Sequence, residues 1–490
     1  MKIGFDNEMY LKVQSEKIKE RINLADSKLY MEFGGKLFDD FHASRVLPGF
    51  NADSKIRILQ NLKDDLEVIF CINASDIERS KMRADYGITY DMELLRLIHN
   101  LVLLGISINS VVITLYTGQV SADIFRKKLE KLNIKTYIHT PTKGYPTEVE
   151  LIVSDEGYGK NEYITTTKKL IIVTAPGPNS GKLATCLSQL YHEYKRGIKA
   201  RYAKFETFPV WNLPLKHPIN VAYEAATADL NDINMIDSFH LEAYGISAVN
   251  YNRDLATFPI LKNILNKIIG EDVYKSPTDM GVNMVKSCII DDDVVKEACN
   301  FEIIRRYYAA MCDAKQEATT NEIANRIKVL MNELNISKDN RPVIQKALDK
   351  ASLEGRNVIA LQLPNSKIIT GKQTELLSPV SALIINAIKE LTNIPDDVYL
   401  LSPSILKPIL KLKHKSLYST SKSLNLQEVL IALSICSATN PIIENAINNM
   451  DNLKGCEAHA SYIVTDGELN ILKNLKINLT CEPVFKSNIT

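Results

Sequence analysis

What the chain lacks narrows it first. No apolar run approaches the eighteen or so residues that a membrane-spanning helix needs, and the opening MKIGFDNEMYLKVQSEKIKE holds no apolar stretch of signal-peptide length. A membrane partner is not expected. Charge of one sign is missing too: 59 Lys and Arg stand against 58 Asp and Glu, a formal net charge of +1. No global field favours nucleic acid, so a nucleic-acid partner is not expected either. The eight cysteines form no Cys-x-x-Cys pair. Scattered through apolar and helical stretches, they read as reduced, mostly buried thiols of a cytoplasmic protein, not as a disulfide framework or zinc site. Tryptophan occurs once, at Trp211, and no repeat of fixed period is present.

What remains is ordinary globular material, 45% apolar and 24% charged. At 490 residues it is too long for a single core. Apolar strand patterns at 29–33 (LYMEF), 67–72 (EVIFCI), 110–116 (SVVITLY), 135–139 and 170–174 alternate with amphipathic helices, for example at 90–104 and 122–132. That alternation predicts an α/β fold of doubly wound, mostly parallel sheets, with ligands at the carboxyl ends of the strands. Three domains are expected. Residues 1–150 read as a Rossmann-like α/β domain, 151–335 as a phosphate-loop-like α/β domain ending in helices, and 336–490 as a C-terminal α/β domain. The Pro- and Gly-containing stretch 139–163 reads as a connection, and its 154–160 part also suits an active-site loop.

The stretch 169–197, KLIIVTAPGPNSGKLATCLSQLYHEYKRG, organises the rest. A buried strand runs into a Pro/Gly loop, a Gly-Lys pair and an amphipathic helix. First-turn amides, the helix dipole and a lysine make such a turn an anion site. Gly177, Asn179, Ser180, Gly181, Lys182 and Thr185 are the candidate phosphate or nucleotide binders. The register departs from the standard phosphate loop, because Pro176 occupies the first Gly position and Leu183 replaces the hydroxyl that would hold magnesium. The alternative is a tight strand-to-helix turn with an exposed lysine.

Two further segments carry polar side chains. After the first strand, GGKLFDDFHASRVLPGF brings Lys36, Asp39, Asp40, His42 and Arg45 together as catalytic candidates around a flexible Gly-Gly start. After KARYAKF, with Lys204 as a further catalytic candidate, an irregular Pro-interrupted stretch holds Glu206, Asp229 and Asp232, which are candidate Mg²⁺ ligands. A weaker Gly-Lys pair stands at Gly371-Lys372. The sequence CEAH at 456–459 groups potential ligands without a second cluster, and so reads as structural.

The words EFGGKLFDDFHASRVLPGF, VSDEGYGKN, TAPGPNSGKLATCLSQLYHEYKRG, AKFETFPVWNLPLKHP, YEAATADLNDINMID and KSPTDMGVNM carry a resemblance over nearly the whole chain. They are similar to the bacterial domain of unknown function family 1846, which implies no particular activity. Residues 170–208 also resemble the opening of dethiobiotin-synthetase-type phosphate-loop enzymes. That second resemblance implies Lys182 on nucleotide phosphates and Lys204 near the transferred phosphoryl group. Three functions follow as expectations. The first is ATP- and Mg²⁺-dependent phosphoryl transfer, of kinase or ligase type, on a small metabolite. The second is a nucleotide-independent isomerase, lyase or transferase acting on a phosphorylated metabolite. The third is a non-enzymatic metabolite-binding protein. A homo-oligomer is compatible with all three.

Overall fold

The computed structural model describes residues 2–83 and 87–486. Compact units form from Lys2–Cys299 and from Asn300 onward, and the helix Asp292–Lys315 contains the division.

The first unit is built on a seven-stranded sheet. In spatial order its strands are Gly281–Val282, Ala200–Phe205, Lys28–Phe33, Leu170–Thr174, Leu66–Asn73, Ile108–Thr114 and Thr136–Ile138. Every pairing in it is parallel. The apolar runs explain this arrangement, since LIIVT and most of LEVIFCIN are buried along their whole length, as strands covered on both faces must be. One face packs on the helix Lys182–Lys195 through Tyr30, Ile171, Val173, Cys186, Leu187 and Leu190. The same face buries Glu193, which accepts hydrogen bonds from Lys28 Nζ and Tyr30 Oη, each at 2.7 Å.

Chain order and spatial order differ at one decisive place. From the Lys28 strand the chain crosses to the Leu66 strand on one side. From the Leu170 strand it crosses back over the Lys28 strand to the Ala200 strand on the other. Adjacent parallel strands whose connections leave in opposite directions open a crevice at their carboxyl ends. The Gly34 and Ala175 loops border that crevice, because they follow the paired strands Lys28–Phe33 and Leu170–Thr174.

The expected boundary near residue 150 is not a sheet boundary. The Leu170 strand inserts between strands from the first 150 residues, so strands from both sides of that point share one sheet. The 139–163 stretch lies along the helix Lys182–Lys195. Asp155 accepts from Tyr191 Oη at 2.6 Å and Asn161 Oδ1 accepts from the Thr140 amide. Asp155 also pairs with Lys195, the last residue of that helix. Its 154–160 part therefore lies beside the turns from Ser188 to Lys195, about 9–20 Å along the helix from Lys182.

The second unit carries a mixed four-stranded sheet ordered Ile368–Lys372, Val358–Gln362, Glu457–Ala460, Asn478–Cys481, in which only the last pairing is parallel. The helices Pro379–Leu391, Pro403–Lys415 and Leu426–Ser437 cover it over an aliphatic core. Fully buried Arg341 is tolerated because Glu457 Oε2 accepts from it at 2.7 Å and the carbonyls of Ala458 and Asn478 take further N–H groups. Burial alone would raise the Glu457 carboxyl, but Arg305 and Arg341 hold it below its usual range. His459 of the 456–459 group faces Thr480 at 2.7 Å.

Gly371-Lys372 is not a strand-to-helix loop. Both residues lie in a strand, and Lys372 pairs with Glu354 at 2.8 Å. A Cβ on Gly371 would meet the backbone nitrogen of Leu383 at 2.2 Å, so the glycine is required for close helix–sheet approach. Gly371→Ala should cost about 1–3 kcal/mol of stability in urea denaturation. Lys372→Ala, removing an exposed pair, should change it by less than about 1 kcal/mol.

Candidate active site

Register builds the centre. Glu32 and Lys204 are direct partners on adjacent strands, as are Tyr30 and Tyr202 two residues earlier. With side chains alternating along a strand, Glu32, Tyr202 and Lys204 share the face on which Tyr30 and Tyr202 pack with the helix Lys182–Lys195. Lys182, the first residue of that helix, brings its Nζ to 3.8 Å from Glu32 Oε1, while Tyr202 Oη donates to Glu32 Oε2 at 2.9 Å.

Around Lys204 the acids close in. Its ammonium donates to Asp254, in the first turn of the helix Asn252–Ile269, and lies 2.8 Å from Glu206 Oε1. Burial works against the lysine's charge, yet Asp254, Glu206 and Glu32 raise its pKa well above the usual lysine range. The two carboxyls separate. Burial pushes Glu206 up and the Asp254 charge adds to this, outweighing Lys204. Partial burial would raise Asp254 too, but Lys204 and Arg253 hold it below its usual range. One carboxyl thus holds its proton more readily than usual beside one that stays ionised. Gly281 makes room for Glu206, since a Cβ there would stand 2.8 Å from Glu206 Oε2.

The loop before Lys182 is shaped by close contacts. Gly181 has φ +78° and a Cβ on it would meet Thr114 at 2.9 Å, while one on Gly177 would meet the Tyr90 ring at 2.4 Å. Asn179 has φ +55° and its carbonyl accepts from Asn73 Nδ2 at 3.3 Å. No side chain caps the helix, so its first amides remain directed at the loop. Ser180 is buried and its hydroxyl donates to the Gly177 carbonyl at 2.7 Å. Thr185 is fully buried and accepts from the Cys71 thiol at 3.4 Å. Both hydroxyls are thus engaged within the protein.

The remaining candidates divide by sheet face. Phe33 and Phe205 stack with centroids 4.2 Å apart and point away from Glu32 and Lys204. On their side Lys55 Nζ lies 6.0 Å from the Phe205 ring and 3.0 Å from Asp40. Asp40 also caps the helix Phe41–Val46 by accepting from the Ala43 amide. His42 packs edge-on against Phe208 and Tyr223, and Tyr223 in turn lies against Tyr251. Lys36 is exposed, and Asp39 (φ +56°) and Arg45 are half-buried.

The three proposed metal ligands do not converge. Glu206 is held by Lys204, Asp229 is exposed, and Asp232 pairs with Arg253 at 3.3 Å. Among the described residues no group of three Asp, Glu, His or Cys side chains stands ready for a metal ion. Sequence reasoning missed Glu32, Tyr202 and Asp254. Glu32 carried a signal, an acidic residue inside an otherwise apolar strand next to Gly-Gly. Asp254 carried none, since its contact depends on tertiary packing.

Comparison with known proteins places the chain in a family. The domain of unknown function DUF1846, N-terminal, matches residues 3–335, and its C-terminal counterpart matches residues 339–490. The chain belongs to the DUF1846 family. DUF1846 relatives include a UPF0371 protein of Clostridium tetani, 54% identical over 99% of both chains. UPF0371 proteins of Clostridium botulinum strains Langeland and Okra are also 54% identical over 99% of each chain. The N-terminal DUF1846 match ends at residue 335, beyond the division between compact units at 299/300.

The Asp40–Lys55 pair gives a pH test. Burial opposes the Asp40 charge, but Lys55 holds its pKa below the usual value. A depressed folded-state pKa adds stability above the unfolded value of about 3.9, and this is lost as pH falls through the folded value. Asp40→Asn should cost about 3–5 kcal/mol at neutral pH, by leaving Lys55 unpaired. It should also flatten the acid limb of a stability–pH curve measured by urea denaturation.

Proposed function

We propose that the chain is an enzyme that binds a small phosphorylated metabolite at the carboxyl edge of the seven-stranded sheet and acts on it by acid–base chemistry. The phosphate would rest on the uncapped amides at Gly181–Lys182 and on Lys182. Glu206 would give or take the proton, and Lys204, kept cationic by Asp254, would stabilise oxyanion charge developing on the substrate.

One observation carries this reading: Glu32, Lys182 and the Lys204–Glu206–Asp254 cluster meet at the topological switch point. The hydroxyls of Ser180 and Thr185 are engaged within the protein, which favours a ligand that does not depend on a magnesium-holding hydroxyl in this loop. ATP-dependent phosphoryl transfer is the second reading. It is favoured by the position of Glu32, an acid at the end of the strand beside the loop strand and 3.8 Å from the loop lysine.

Calorimetry with glucose 6-phosphate, glycerol 3-phosphate and ATP–Mg²⁺ separates the readings. Binding of a sugar or polyol phosphate but not ATP–Mg²⁺ is expected, weakened about 10- to 100-fold by Lys182→Ala, the worth of a charge-assisted hydrogen bond. If turnover is found, Glu206→Gln should abolish it. The wild-type acid limb of kcat/KM should fall above the usual carboxylate range.

A further inference from the structure

The second unit contains a cavity of about 300 Å³ that the reading above does not use. Its lining combines hydroxyl groups, from Ser378, Ser419, Ser421 and Thr465, with two buried charges of opposite sign, Glu468 and Lys413, and two half-buried ones, Glu428 and Lys486. The residue Glu468 is 3% exposed, Lys413 5% and Ser378 3%. Charges are this deeply buried only where bonded partners repay their lost hydration.

Among the described residues Glu468 has no cationic partner, and Lys413, ion-paired with Glu428 at 2.8 Å, keeps one N–H over. Glu468 receives the Ser378 hydroxyl and, at 3.3 Å, the Leu426 amide, both on Oε1. Lys413 Nζ donates to the Ser423 carbonyl at 2.9 Å and to Glu428 Oε2 at 2.8 Å, two of the three N–H groups an ammonium carries. Glu428 is in turn fixed by a capping box with Asn425. The two charges thus grip the same short loop, Lys413 at its Ser423 end and Glu468 at Leu426. Those backbone positions are no more than about 10 Å apart along an extended chain. No direct ion pair joins Lys413 to Glu468.

We infer that this cavity binds a small zwitterion of the α-amino-acid class. Its ammonium would meet the open oxygen of Glu468, its carboxylate would meet Lys413, and its side chain would be surrounded by the serine and threonine hydroxyls. The volume suits a ligand of this size. A simple amine or a simple carboxylate would complete only one of the two charges and leave the other as it stands. The same argument makes the site selective against amino-acid amides and decarboxylated amines, because a polar site left half-paired discriminates strongly.

The test uses the full chain and a thermal-shift and calorimetric screen of the twenty common L-amino acids. Each binder is then compared with its α-amide and its decarboxylated amine. At least one amino acid should raise the melting temperature with saturable binding, and its amide and amine should bind at least tenfold more weakly. Glu468→Gln should remove the response, and Ser421→Ala, at the rim, should weaken it by less than tenfold while leaving the fold intact. If no amino acid binds at 10 mM, or if amides and amines bind as well as their parent amino acids, the assignment is overturned. The screen on the unmodified protein decides this even if Glu468→Gln fails to fold. The arm is independent of Lys182, so Lys182→Ala should bind the same amino acid unchanged.

Discussion

Glu32 and Lys204 stand side by side because the Lys28–Phe33 strand is held in register between the Leu170 and Ala200 strands. Much of the first unit's chemistry depends on that single constraint. A one-residue slip would turn Glu32 to the opposite face and put Phe33 in its place. Lys204 would then lose one of the three carboxylates that keep it protonated, and Lys182 would lose the acid nearest to it. The register is itself fixed by apolar burial on both faces, where Leu29, Tyr30, Met31 and Phe33 are each at most 1% exposed. Packing thus sets the electrostatics.

The same strands separate two sets of charges that are neighbours in sequence. Asp40 and Lys55 lie by the Phe33–Phe205 face and neutralise one another, which stabilises the loop after the first strand. Glu206, Asp254 and Lys204 gather at the opposite face, where one carboxyl is raised and the other lowered. A mutually satisfied pair is a stability element. A cluster with split proton affinities at the mouth of a crevice is what the proposed acid–base reading rests on.

Much of the first unit was legible in the sequence because its strands are long apolar runs and its helices strongly periodic. The strands at 29–33, 67–72 and 170–174 appear with ends shifted by at most one residue. The order of the strands was not legible, because the insertion of the Leu170 strand between two earlier ones leaves no local trace, so strands from both sides of residue 150 share one sheet. The helix Pro218–Ala226 was read as irregular because of the prolines around it, although Pro218 occupies the first helical turn, where proline is well tolerated. The site was half legible. Gly181, Lys182, Lys204 and Glu206 follow from local pattern, whereas Glu32 and Asp254 become neighbours of the lysines only through sheet register and helix packing.

The account rests on an anion binding at the start of the helix Lys182–Lys195, beside Glu32 and Lys204. Crystals of the protein soaked in tungstate, a heavy phosphate analogue, test this most directly through the anomalous signal. The account predicts a peak within hydrogen-bonding distance of the Lys182 ammonium and the first helix amides, lost in Lys182→Ala crystals. A peak confined to other surfaces, or one at the loop that persists without the lysine, would contradict it.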